Sequence, residues 1–140
     1  MADPLSDYPI VVTEAVRWGD MDAFGHVNNT VYFRFFESAR IAFFAELGIH
    51  TSTPEGVGPI LHSTSCRFRA PVTFPDSLRV GARVADVGED RIRMEHLVYS
   101  ERLQKAAATG DALVVTFDYA NGCKAPLPPA WREHIDALGR

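Results

Sequence analysis

Cysteine is scarce, with only Cys66 and Cys123 and no CxxC pair among 140 residues. That excludes a disulfide framework as the source of stability, and a reducing compartment fits best. Long apolar runs are also missing: Arg34, Glu37, Arg40 and Glu46 interrupt the greasiest stretch, so nothing is expected to span a bilayer. The opening Met-Ala-Asp-Pro-Leu-Ser-Asp-Tyr-Pro has neither a basic n-region nor an apolar h-region, so it does not read as a signal peptide. Neither charge sign dominates. Fourteen Lys and Arg stand against eighteen Asp and Glu, and a formal net charge of -4 argues against general affinity for nucleic acid or an anionic membrane. An anionic small ligand is not excluded, because a local patch can oppose the global sign. His26, His50, His62, His96 and His134 show no zinc-type spacing, and no Walker or Rossmann glycine pattern occurs. The expectation is a cytoplasmic protein with no metal and no organic cofactor. Its length suits one domain, 1–140, able to bury a real core without staples.

What is present is a strand–helix–strand order. Residues 10–18 (IVVTEAVRW) are rich in β-branched side chains and read as a first strand. The polar, glycine-containing stretch 19–29 reads as a loop. Residues 30–47 contain no Gly or Pro, follow the cap-type residues Asn28 to Thr30, and precede Gly48, so they read as a helix. Tyr32, Phe36, Ala39, Phe43 and Leu47 recur at helical spacing. Phe33, Phe35, Ile41 and Phe44 widen the apolar surface, and a helix apolar on most sides needs enclosure. Alternating patterns predict strands at 59–70, 78–87, 91–102 and 112–120, with a hairpin at Gly88-Glu89-Asp90 and a turn at Thr109-Gly110-Asp111. Pro128-Pro129 can open a short C-terminal helix, 129–138. The order β-α-β-β-β-β predicts an α+β fold, a five-stranded antiparallel sheet curled around one long central helix.

The segment Val16-Arg17-Trp18-Gly19-Asp20-Met21-Asp22-Ala23-Phe24-Gly25-His26-Val27-Asn28-Asn29, continuing to Tyr32, Glu37, Ala39 and Arg40, resembles the hot-dog thioesterases. Within them it is similar to the 4-hydroxybenzoyl-CoA thioesterase-like branch, which carries a D-x-D-x-x-G-H-V-N-N signature. The likeness continues more loosely through Phe68-Arg69-Ala70-Pro71 and Asp76-Ser77-Leu78-Arg79-Val80. The resemblance implies the hot-dog fold, hydrolysis of an acyl-CoA thioester, and a homodimer or homotetramer with active sites where subunits meet. It places the catalytic carboxylate on Asp22, as nucleophile or as the base that activates water. Some relatives carry histidine seven residues after that Asp, where this chain has Asn29.

The chemistry asks for a base or nucleophile, a polarised carbonyl and stabilisation of the tetrahedral oxyanion. Asp22 supplies the first through position rather than basicity. The helix that follows offers unpaired N–H groups and the positive end of its dipole. Gly25 permits a tight turn and close substrate approach. His26 can donate to substrate or simply pack, and Asn29 can orient water or cap the helix. Tyr32 is a core or contact residue, and His62 shares parity with Ile60 and Cys66 as a core or pocket-edge residue. Asp20 reads as a turn residue or solvated charge, and Glu37 with Arg40 as an i, i+3 ion pair. Arg67, Arg69, Arg79, Arg83, Arg91 and Arg93 lie on polar strand faces. They either receive CoA phosphates or form a solvated outer surface. Rival readings are an acyl-carrier-protein thioesterase and a non-catalytic acyl-thioester binder. A hot-dog dehydratase fits the loop before the helix less well.

Overall fold

Eighteen consecutive residues without glycine or proline form the central helix α1, Asn29–Glu46. It starts where the Asn28 side chain accepts the Thr30 N–H at 3.0 Å, satisfying one orphan donor of the first turn. It stops at Gly48, whose φ of +78° suits a residue lacking Cβ. The computed structural model describes residues 3–49 and 56–139. Around α1 lie β1 (Ile10–Ala15), β2 (Val57–Phe68), β3 (Ser77–Val87), β4 (Arg91–Ser100) and β5 (Lys105–Asp118). A two-residue strand β6 (Cys123–Lys124) and the helix α2 (Pro129–Leu138) complete the described elements. The sheet is antiparallel in the order β1-β3-β4-β5-β2, with β6 on β5. This is the hot-dog arrangement expected from the sequence.

Alternation decides which side chains meet the helix. Leu78, Val80, Ala82 and Val84 of β3, Ile92, Met94 and Val98 of β4, and Ala108, Ala112 and Val114 of β5 are buried. They face Tyr32, Phe35, Phe36, Ala39, Phe43 and Phe44 of α1 in one continuous core. The stripe Arg34, Glu37, Ile41 and Ala45 stays exposed, so the sheet wraps α1 while leaving one face of it open. Trp131 and Ile135 of α2 close the far end of the core, with the Trp131 ring 6.4 Å from that of Phe44. On the outer face, Leu5 and Tyr8 fold back over Gly81, and Arg83 lies 4.3 Å from the Tyr8 ring centroid.

Three expectations need correction. β1 ends at Ala15, because residues 18–20 turn as a short 3-10 helix. Thr109-Gly110-Asp111 is not a turn but the middle of β5, and the chain reverses at 101–104 instead. Gly110 serves close packing there, not reversal. Finally, Glu37 and Arg40 do not pair. Glu37 sits on the open face of α1, whereas Arg40 is buried and its Nη1 donates to His96 Nε2 at 3.4 Å. The Nδ1–H of His96 then donates to the Gly81 carbonyl at 3.1 Å, and its ring stacks on Phe36 at 5.1 Å.

That buried contact makes stability pH-dependent. Burial first, and the Arg40 charge second, push His96 down to about 4 from its ordinary 6.5. Burial also lowers Arg40, with Glu37 acting in the opposite direction. His96 is therefore neutral in the folded protein at pH 7. As pH falls from 6.5 toward 4 the unfolded chain binds a proton that the folded one refuses, and stability declines. About 2 kcal/mol should be lost between pH 7 and pH 5 from this group. Urea unfolding at the two pH values tests it: His96→Gln should lose that much less than the wild type, and equal losses would refute the assignment.

Candidate functional site

The site grows from the junction between β1 and α1. After β1 the chain is tied to the segment before β3, where the Val16 N–H reaches the Asp76 carbonyl at 2.9 Å. The 3-10 turn Trp18–Asp20 then delivers Asp20 into the interior at 5% exposure. Its carboxylate accepts the Arg17 N–H at 2.9 Å and the Arg34 Nη2 at 3.1 and 3.2 Å. Its carbonyl accepts the Asn28 N–H at 2.9 Å, so the two ends of the loop are pinned together. Asp20 is thus a turn residue as expected, but a buried and ion-paired one and not a solvated charge. Only its neighbours in space reveal this.

Between those ends the loop folds as a small hairpin. Met21 bridges Val27, the Asp22 N–H reaches the His26 carbonyl at 2.9 Å, and the Gly25 N–H reaches the Asp22 carbonyl at 3.0 Å. Gly25 sits at φ +79°, the left-handed region that a tight reversal requires and that glycine tolerates. The Val27 N–H then bonds the Val72 carbonyl at 2.8 Å, docking the hairpin on the segment leading to β3. Asp22 is exposed, and its Oδ1 accepts the Phe24 N–H at 2.9 Å. One carboxylate oxygen therefore holds the turn, while no donor among the described residues engages the other.

Asp22 opens onto a cleft of about 450 Å³. Its polar lining is Asp22, Asn29 and Arg69, and its apolar lining is Val27, Tyr32, Phe68, Ala70 and Pro71. Asn28, not Asn29, caps the helix, which leaves Asn29 as the first helical residue. No acceptor among the described residues takes its backbone N–H. Asp22 and Asn29 thus line one cleft, and the uncommitted Asn29 N–H lies at the positive end of the α1 dipole. Tyr32 is buried, edge-on to Phe68 at 5.1 Å, and burial raises its phenol above the usual range. Cys66 is no rival nucleophile, because burial pushes its thiol up to about 11. Among the described residues no cluster of His, Cys, Asp or Glu has the makings of a metal site.

Of the residues singled out from the sequence, Asp22, Asn29, Tyr32 and Arg69 come together here. Gly25 and His26 belong to the same hairpin but do not line the cleft. His26 is exposed and contributes its carbonyl to the hairpin. His62 is exposed on β2 beside a bulge between Leu61 and Ser63, which breaks the parity that suggested a buried position. At about 3.3 Å per residue it stands roughly 20 Å along the strand from Arg69. The arginine faces also divide. Arg79 meets Glu101 at 2.7 Å, Arg83 meets Glu95 at 2.9 Å, Arg91 meets Asp90 at 2.7 Å and Arg93 meets Asp86 at 2.9 Å. These four are matched by carboxylates. Among the described residues Arg67 and Arg69 have no carboxylate partner, and the Arg69 Nε contacts only the Thr109 hydroxyl, at 3.4 Å.

A sheet wrapped around one helix is the hot-dog arrangement, and Asp22 and Asn29 line a cleft at the start of that helix. The model of the thioesterase-like superfamily matches residues 16–135, and the chain belongs to that family. It is similar to a thioesterase from Thermus thermophilus solved in complex with coenzyme A and zinc. The two are 34% identical with a TM-score of 0.83, over 96% of this chain and 98% of that one. A putative thioesterase from Pseudomonas aeruginosa is 31% identical, with a TM-score of 0.83 over 91% and 98% of the two chains. A chloroplastic acyl-acyl carrier protein thioesterase of Arabidopsis thaliana is 27% identical over 105 residues, 74% of this chain and 55% of that protein. Among the described residues no helix is long and apolar enough to cross a membrane.

Proposed function

We propose that the protein hydrolyses acyl-CoA thioesters to free acid and CoA, with Asp22 as nucleophile or general base. The observation that carries this is that Asp22 and Asn29 line one cleft at the start of α1, where the Asn29 N–H has no acceptor among the described residues. The thioester carbonyl lies between them, its oxygen toward Asn29 and the helix start. In the general-base route Asp22 takes a proton from water, whose oxygen attacks the carbonyl carbon. The tetrahedral oxyanion collapses, the C–S bond breaks, and the proton passes to the leaving thiolate. In the nucleophilic route a carboxylate oxygen attacks first and the C–S bond breaks to expel the thiolate; water then hydrolyses the mixed anhydride, which frees the acid and the Asp22 carboxylate and leaves a proton for the thiolate. A well-aimed oxyanion donor is worth about 3–4 kcal/mol of barrier. The apolar lining from Val27, Tyr32 and Phe68 receives the acyl group.

Arg69, free of a carboxylate partner and lining the cleft, favours a phosphate-bearing thiol. That supports CoA, and it also leaves the phosphopantetheine of an acyl carrier protein as the second reading, favoured by the plant relative. The working unit is a homodimer or homotetramer with its sites at the subunit interface. β2 supports this: it is an edge strand with Leu61 and Phe68 exposed at 42% and 49%. A second copy would cover such an edge. The free thiols Cys66 and Cys123 suit action in the cytoplasm.

The test is thiol release from benzoyl, short, medium and long acyl groups, each carried on CoA, on pantetheine without phosphates, and on carrier protein. The protein's mass in solution is read alongside. Turnover of CoA esters with a kcat/KM about tenfold or more above the pantetheine esters is expected. Faster turnover on carrier protein would move the substrate to that class. A folded protein inert toward every thioester would refute the enzyme, and a monomer active at full rate would refute the interface.

A further inference from the structure

Burying a carboxylate is expensive, and a buried ion pair is a poor source of net stability. Asp20 nevertheless lies at 5% exposure with Arg34 as its cation, the latter still 44% exposed. The attachments explain what the charge can do. Through Arg17 N–H the carboxylate holds the approach from β1. Through Arg34 it holds the second turn of α1, and through its own carbonyl it holds Asn28, the helix cap. All the backbone between Asp20 and Asn28 is the hairpin that carries Asp22, and Asn29 is the next residue. Displacing Asp20 therefore moves the two walls of the cleft relative to one another.

We propose that Asp20, clamped by Arg34, is a positioning residue that sets the separation of the Asp22 carboxylate from the Asn29 N–H. The inference rests on the thioesterase reading. It differs from it in that Asp20 touches no substrate, being absent from the cleft lining. An error of about 1 Å in such an arrangement costs on the order of 10²-fold in rate. The loss belongs in kcat and not in KM, because the acyl and phosphate contacts are elsewhere.

The experiment compares wild type, Asp20→Asn, Arg34→Gln, Arg34→Lys and the double variant Asp20→Asn/Arg34→Gln. The readouts are kcat and KM on the best acyl-CoA, melting, and amide exchange across residues 22–28. Asp20→Asn should lose on the order of 10²-fold in kcat with KM within about twofold. Arg34→Gln should lose about tenfold, Arg34→Lys should recover most of that, and the double variant should be no worse than Asp20→Asn alone. If Asp20→Asn does not fold, Arg34→Gln carries the test through its half-exposed side chain. A folded Asp20→Asn or Arg34→Gln with kcat within about twofold of wild type would overturn the proposal, as would fully additive losses. If wild type hydrolyses no thioester, the thioesterase reading fails, and the clamp is judged by exchange. The Gly25, Val27 and Asn28 amides should exchange about tenfold faster in Arg34→Gln, and unchanged exchange would overturn it.

Discussion

Asp22→Asn is expected to abolish turnover on the order of 10²–10⁴-fold while leaving the fold intact. The substitution keeps an oxygen where Asp22 Oδ1 accepts the Phe24 N–H, so the turn that shapes the hairpin survives. It removes the negative charge and the basicity of the other oxygen, which no donor among the described residues engages. The side chain is exposed, so melting should move by no more than about 1–2 °C. Steady-state kinetics and a thermal melt on the same preparation check both halves. A variant with the wild-type kcat/KM would remove Asp22 from the mechanism. Hydroxylamine added during turnover then separates the two routes: a mixed anhydride on Asp22 is trapped as a hydroxamate, and a water-only route leaves none.

The second large effect is on stability. Gly110→Ala should cost about 3 kcal/mol and lower the melting temperature by about 10 °C. Gly110 sits mid-strand in β5, opposite Cys66 on one side and His96 on the other. The fully buried Phe36 ring lies directly on its backbone. A Cβ there would come within 2.6 Å of Phe36 Cζ and 2.7 Å of the Ser65 carbonyl oxygen. Backbone cannot retreat cheaply, so the ring must move, and it would leave its stack on His96. Adding Phe36→Leu to Gly110→Ala should recover part of the loss, a coupling that two distant substitutions would not show. A urea midpoint unchanged by Gly110→Ala would sink this account.

Much of this molecule is legible in the sequence, but unevenly. Helix α1 is visible because eighteen residues without a breaker, bounded by Asn28 and Gly48, leave the backbone few alternatives. β3 and β4 are visible because their inner faces alternate cleanly. Asp22 stands out through the motif that surrounds it. Gly110 misleads, since a glycine flanked by Thr109 and Asp111 has the composition of a turn and nothing local reports an aromatic ring overhead. His62 misleads because the bulge between Leu61 and Ser63 shifts parity, and bulges leave no mark on an alternating pattern. Arg40 and Glu37 sit at the spacing of an ion pair, yet the partner that engages Arg40 is 56 residues away.

The sequence by itself therefore determined the element types, their order, and the loop that bears the carboxylate, because these follow from local conformational preference and from periodicity. Only the tertiary structure decided which polar groups find one another. It matched Arg79, Arg83, Arg91 and Arg93 with acids, left Arg67 and Arg69 without them, buried His96 against Arg40, and turned Asp20 from a loop acid into a clamp. The physical reason is range. Propensity and hydrophobic pattern act within a few residues, whereas a charge pairs with whatever the folded chain brings within reach, at any separation in sequence.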